Sequence, residues 1–270
     1  MPPVGSSSSS AWRSPFDLSG KVAVVTGAGS KTGIGFATAR LLGRLGAAVL
    51  LTATTDRIDQ RVHELQAEDV EAAAAVADLT DPEQAARVAD QAHQRWSRVD
   101  IVVNNAGMVS VSQPGMEDGP LEDVSPEIWR AGLARNLDTA FLTTRAVLPL
   151  ITGPAGRIVM VGSVTGPVMA MRNDPVYAAA KAALTGLTRA LAVDLAARSI
   201  TVNTVAPGWI ATGSQTPDEQ RQGLLTPMRR SAEPDEVAAV IAFLAAPASS
   251  YVTGHVLVVD GGNSVAEERA

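Results

Sequence analysis

Seven short apolar runs alternate with longer amphipathic stretches from Lys21 almost to the end of the chain, and this rhythm restricts the fold more than any other feature. The runs are "VAVVT" (22–26), "AAVLLTA" (47–53), "AAAVAD" (73–78), "VDIVVNNA" (99–106), "GRIVMVGS" (156–163), "ITVNTVAP" (200–207) and "HVLVVDG" (255–261). Between them, Ala/Leu-rich stretches at 34–46, 82–97, 126–150, 176–198 and 234–246 carry apolar residues at helical spacing and charged opposite faces. Runs that are apolar without alternation are strands buried on both faces. Strands alternating with helices form a parallel sheet covered on both sides. The expected fold class is therefore α/β, a single doubly wound domain over 20–263 with a seven-stranded parallel sheet and helices on both faces. Helix starts agree: "DPEQ" (81–84), "SPEIW" (125–129) and "EPDEV" (233–237) each put a proline in the first turn with acid behind it.

A length of 270 residues suits one large domain, and an Ala/Val/Leu-rich composition suits one large aliphatic core. With no cysteine, disulfides, thiolate metal sites and cysteine nucleophiles are excluded. The net charge of −6 argues against nucleic acid and anionic membrane as partners. Residues 1–19, "MPPVGSSSSSAWRSPFDLS", lack the apolar and basic regions of a secretory signal and read as a disordered or loosely packed extension. Residues 264–270 read as a polar tail. No apolar segment reaches the roughly 18 residues that span a bilayer, so a cytoplasmic protein is expected. His63, His93 and His255 are scattered, and no metal is expected. The least regular stretches, 110–123 and 208–231, follow the fourth and sixth strands, where open α/β sheets bind ligands.

The turn after the first strand, "VVTGAGSKTGIGFA" (24–37), raises the question of which phosphate it holds. A nucleoside-triphosphate loop needs glycines where Val25 and Ser30 stand, so the Lys31-Thr32 pair does not belong to one. A dinucleotide loop needs glycines for the turn, for backbone approach to pyrophosphate and for helix packing. Gly27, Gly29, Gly33 and Gly35 supply them, with a helix starting near Ile34.

This loop, with "NNAG" (104–107), Ser163, "YAAAK" (177–181) and "PGWIAT" (207–212), resembles the short-chain dehydrogenase/reductase family in motif order and spacing from about Lys21 to Gly262. Within the family the chain is most similar to the 3-oxoacyl-(acyl-carrier-protein) reductase-like group. The resemblance implies a Rossmann-type domain that transfers a hydride between a nicotinamide cofactor and a ketone or secondary alcohol. It implies a catalytic set of Ser163, Tyr177, Lys181 and Asn136, in which Ser163 holds the substrate oxygen, Tyr177 exchanges the proton and Asn136 shapes a helix and a water relay to Lys181. Tyr177 and Lys181 lie four apart, one turn of helix, and a nearby ammonium favours a phenolate whose ordinary pKa is near 10. Asn in mid-helix is unfavourable, which suits a compensating role for Asn136.

The resemblance places the cofactor against Gly27, Ser30, Lys31, Thr32, Gly33, Ile34, Gly35, Thr54, Asp78, Leu79, Asn105, Ala106, Gly107, Tyr177, Lys181, Pro207, Gly208, Ile210 and Thr212. Two departures stand out. The loop carries five residues between Gly27 and Gly33 where the family pattern has three, and Ser163 lies fourteen positions before Tyr177 where the family more often has thirteen. The longer loop can carry Ser30, Lys31 and Thr32 around the adenosine ribose. The end of the second strand, Ala53-Thr54-Thr55, has no acid until Asp56, and this absence with Lys31 favours NADP(H) over NAD(H). Val109, Met169, Met171, Arg172 and Trp209 are candidate substrate-wall residues, an adaptable apolar site with one cation. The substrate class is a ketone or secondary alcohol; Arg229 and Arg230 could receive a carrier protein's acidic surface, but the net negative charge speaks against that partner and nothing else in the sequence supports it. An NAD-dependent alcohol dehydrogenase and a nonreactive dinucleotide-binding regulator are the alternatives. The family commonly forms homotetramers, and the Ala-rich stretches 131–146 and 178–197 and "GHVLVVDGG" near the end suit that assembly.

Overall fold

The computed structural model describes residues 14–107 and 119–267. Seven strands form one parallel sheet: β1 (Val22–Val25), β2 (Ala48–Ala53), β3 (Ala72–Val76), β4 (Ile101–Asn104), β5 (Arg157–Val161), β6 (Thr201–Pro207) and β7 (Val256–Val259). Their order is β3-β2-β1-β4-β5-β6-β7, so the winding reverses between β1 and β4. That reversal opens a crevice above the carboxyl ends of the central strands, the ligand position of doubly wound sheets.

Eight α-helices lie among the described residues: α1 (Ile34–Arg44), α2 (Ile58–Gln66), α3 (Pro82–Trp96), α4 (Pro126–Leu133), α5 (Thr139–Val147), α6 (Pro175–Leu195), α7 (Pro217–Leu224) and α8 (Pro234–Ala245). The sheet divides the core in two. One face packs Phe36, Leu42, Val49, Leu51 and Ile58 with Val237 and Ile241 of α8. The other packs Leu50, Val102, Ile158 and Met160 with Val88, Val147 and Leu184. Central strands are buried on both faces, which is why their sequences run apolar without alternation.

Of the segment read as an N-terminal extension, the described part from Ser14 to Ser19 is packed onto the domain. Leu18 is in the core, its N–H bonded to the Leu45 carbonyl at 2.8 Å, and the Pro15 carbonyl accepts from Ala248 N. The stretch 126–150 is not one helix: α4 passes through a π-helical segment at Ala134–Asp138 into α5. α2 and α7 lie outside the helices expected from periodicity. Both are short and rich in polar residues, and α7 is started by a capping box between Thr216 and Glu219. No helix among the described residues is long and apolar enough to cross a membrane.

Candidate active site

The glycine loop leaves β1 and turns at Gly27, whose φ of +66° lies in the left-handed region. A Cβ at Gly27 would sit 2.8 Å from Ala106 Cα, and one at Gly35 would sit 2.6 Å from Asn105 Nδ2 and 2.7 Å from the Gly27 carbonyl. The "NNAG" strand end is thus stacked directly on the loop. Thr26 Oγ1 accepts from the N–H groups of Asn105 and Ala106, both at 2.9 Å, while Asn105 Nδ2 donates to the Thr26 and Gly27 carbonyls at 3.0 and 3.1 Å. Asn105 therefore braces the loop with its side chain, and Ala106 and Gly107 form the floor beside it.

The helix that follows has Gly33 at its cap, with no capping side chain and no acid in its first turn. Its free N–H groups and positive dipole end face the crevice, the arrangement that receives a phosphate. Bare backbone, glycines that a Cβ would overfill and this uncapped terminus together fit a dinucleotide pyrophosphate.

Lys31 is exposed and is paired with a carboxylate on α2. Its ammonium is 3.3 Å from Glu64 Oε1 on α2, and Glu64 also accepts from Arg61 Nη2 at 2.9 Å. The cation that stands over the loop is Arg57, just before α2. Its Nε is 3.1 Å from the position a Gly29 Cβ would take, next to the Ala53 methyl at the end of β2. Sequence reasoning stopped at Asp56 and missed Arg57. The signal was present, a cation four residues beyond the end of β2, next to the strand end where a 2′-hydroxyl-binding acid is absent. Thr54 and Ser30 are exposed beside it. Asp78 and Leu79 follow β3. Asp78 caps a local turn through Thr80 and its charge faces Arg135, and Leu79 is buried.

Ser163 closes β5, and Tyr177 and Lys181 share one face of α6. Ser163 is buried and hydrogen-bonded to the Tyr177 phenol. Lys181 is buried beneath that phenol: its ammonium lies 5.4 Å from the Tyr177 ring centroid and donates to the Val161 carbonyl at 3.1 Å. Gly166 lets α6 approach this strand end, since a Cβ there would lie 2.3 Å from the Ala178 carbonyl. The segment between Ser163 and α6 makes a compact turn, closed by Val168 and Met169 N–H groups bonding the Val164 carbonyl.

Burial pushes the Tyr177 phenol up to about 12. The Ser163 hydrogen bond opposes that rise, and the charges of Asp174 and Glu219 add to it. Desolvation disfavours the charged form of both groups and acts against the lysine's pull towards a phenolate. Lys181 itself is pushed down to about 8 by burial.

Asn136 is buried within the π-helical segment and donates to the Gly132 carbonyl at 3.3 Å. A Cβ at Gly107 would lie 3.0 Å from Asn136 Oδ1, so the "NNAG" turn and this segment are in contact. The π-helical segment separates α4 from α5, and such bulges recur at functional sites. Pro207 ends β6 and Gly208, Ile210 and Thr212 follow it, where Ile210 bridges to Ala232 and closes the loop between them. Among the substrate-wall candidates, Met169 and Trp209 are half-buried, and Met171 and Arg172 are exposed at the rim. Val109 lies outside the described residues.

A family model described as enoyl-(acyl carrier protein) reductase matches residues 27–264. The chain is 38% identical over 263 residues to oxidoreductase UcpA of Escherichia coli K12, covering 93% of this chain and 97% of that one. It is 41% identical over 251 residues to the 3-oxoacyl-(acyl-carrier-protein) reductase FabG of Pseudomonas aeruginosa, covering 91% and 98%. A solved structure described as an NAD(P)-dependent gluconate 5-dehydrogenase of Beutenbergia cavernae, with NADP at low occupancy, superimposes with a TM-score of 0.83 at 41% identity, covering 92% of this chain and 98% of that one.

Proposed function

The chain belongs to the short-chain dehydrogenase/reductase family of oxidoreductases, and from that premise we propose that it is an NADP(H)-dependent carbonyl reductase acting on a ketone. The observation that carries the reading is the grouping of buried Ser163 and Lys181 around the half-buried Tyr177 at the carboxyl end of β5, beside a glycine loop shaped for pyrophosphate.

When bound, the nicotinamide supplies the hydride to the carbonyl carbon. Ser163 and Tyr177 hydrogen-bond the substrate oxygen, and the Tyr177 phenol gives its proton to that oxygen as negative charge develops. A phenol held near 12 is fully protonated at neutral pH, which suits a donor. Lys181 places a positive charge under the phenol, and Asn136 holds the π-helical segment against Gly107. Thr212, Ile210, Gly208 and Pro207 fix the ring face presented to the substrate, so the reaction is largely a matter of positioning.

Preference for the 2′-phosphate is supported by Arg57 over Gly29 and by the absence of an acid at 53–55. An alcohol dehydrogenase working in the opposite direction is the second reading, favoured by relatives such as the galactitol 2-dehydrogenase of Cereibacter sphaeroides, 38% identical over 266 residues. A homotetramer is supported by exposed Phe141 on α5, Val193 on α6 and Val258 on β7, and light scattering tests it.

The deciding experiment is NADPH oxidation with a panel of ketones, wild type against Tyr177→Phe. The expected result is a loss of turnover of about 10²- to 10⁴-fold with NADPH binding retained. Equal turnover in the variant, or no ketone reduced at all, rejects the reading.

A further inference from the structure

We infer that the two extra residues of the glycine loop form a strap across the cofactor crevice, with Lys31 as its anchor and Thr32 as its crossing point. The inference rests on the dinucleotide reading above. Thr32 belongs to the loop after β1, and Gly213 follows Thr212 in the loop after β6. In the sheet order, β1 and β6 stand three places apart with β4 and β5 between them. At the usual strand spacing that separation is about 14 Å. Yet a Cβ at Gly213 would lie 2.5 Å from Thr32 Oγ1 and 3.8 Å from Thr32 Cβ. The loops after β1 and β6 therefore meet across the carboxyl end of the sheet, beside the glycine loop that would hold the pyrophosphate. Gly213 has an ordinary φ, so what position 213 demands is space for Thr32 rather than left-handed backbone.

The other end of the strap is tied down. Lys31 points away from the crevice to Glu64 on α2, whose carboxylate is shared with Arg61, and Arg61 lies over the Phe36 ring of α1 at 5.4 Å. Lys31 is thus a positioning residue, and contact with the 2′-phosphate falls to Arg57. A family-length loop, two residues shorter, has less chain with which to reach Gly213. The strap's role is to hold the dinucleotide after it binds, slowing release of either form irrespective of the 2′-phosphate.

The test is stopped-flow displacement of NADPH and of NADH from wild type, Lys31→Met, Gly213→Ala and the double variant. Lys31→Met is expected to speed release of both dinucleotides by the same factor, about two- to fivefold, the size of one exposed ion pair. Gly213→Ala, which pushes Thr32 aside without touching α2, is expected to speed both at least as much. The double variant is expected to be no faster than the faster single, because both changes open one strap. Selective loss of NADPH affinity in Lys31→Met makes Lys31 a phosphate ligand and overturns the proposal, as do unchanged release rates in a wild type that binds dinucleotide. A wild type that binds neither dinucleotide overturns the functional reading itself and the strap with it.

Discussion

Replacing Lys181 by Met is expected to make the protein inactive and no less stable at neutral pH. Lys181 is 3% exposed, and burial lowers its pKa from 10.5 to about 8. Keeping the ammonium charged inside the protein at pH 7 therefore costs roughly 3 kcal/mol. Met has a similar reach and no charge. What it loses is the bond to the Val161 carbonyl, about 1–3 kcal/mol when the acceptor is left without that partner. The net expectation at pH 7 runs from neutral to about 2 kcal/mol in favour of the variant.

The sign with pH is distinctive. A lysine with a depressed folded pKa contributes its stability above the unfolded value and loses it as pH falls towards the folded value, so the wild type gains stability on going from pH 8 towards 10.5. Between pH 7 and 9 that gain is about 1 kcal/mol, and Lys181→Met does not share it. Urea unfolding of both proteins at pH 7 and pH 9, followed by circular dichroism without added dinucleotide, reads the difference. Tyr177 does not interfere, since it titrates near 12. A variant destabilised by more than 2 kcal/mol at pH 7, with a gap to wild type that stays flat up to pH 9, refutes the reasoning.

Arg57→Ala is expected to weaken NADPH binding tenfold or more while leaving NADH within twofold, read by fluorescence titration; a parallel loss for both cofactors removes Arg57 from the 2′-phosphate. Gly35→Ala places a methyl against Asn105 Nδ2 and the Gly27 carbonyl, so about 1–3 kcal/mol of stability and most dinucleotide affinity are expected to go, checked by thermal unfolding and titration.

Most of the fold was legible because the signal was local and repeated. Strands such as β1 and β5 are continuous apolar runs between turn residues, and α3 announces itself with Asp81, whose side chain accepts from Glu83 and Gln84 N–H groups, and Pro82 in the first turn. α2 and α7 were not legible, since charged and amide side chains outnumber the few apolar residues that would mark a buried face; tertiary packing and a capping box make them helices. The catalytic candidates were legible as a spaced motif, and Ser163 and Tyr177 do come together from different elements. Partner choice was not. That Lys31 pairs with Glu64, 33 residues further along the chain, is not visible in the loop itself. Arg57 gained its meaning only from the approach of Gly29 across the gap between β1 and β2. The tyrosine's charge state was also beyond reach, because motif spacing shows the neighbouring lysine and does not show how dry the site is.

That dryness bears on direction. Burial pushes both members of the pair towards their neutral forms, the phenol up to about 12 and the ammonium down to about 8. Reduction needs the phenol with its proton, the form that a pKa pushed up to about 12 favours at neutral pH. Oxidation needs the phenolate as base, and at pH 7 that form lies about 5 units away, at most roughly 7 kcal/mol unless positive charge brought close to the phenol offsets it. The expected outcome is asymmetric. The rate of ketone reduction is level through neutrality and falls as pH rises through about 8, where Lys181 gives up its proton. Alcohol oxidation is slow at pH 7 and climbs beyond pH 9. Initial rates in both directions between pH 6 and 10 decide the matter, and oxidation at pH 7 as fast as at pH 10 shows that the bound site already stabilises the phenolate, which makes the dehydrogenase direction the working one.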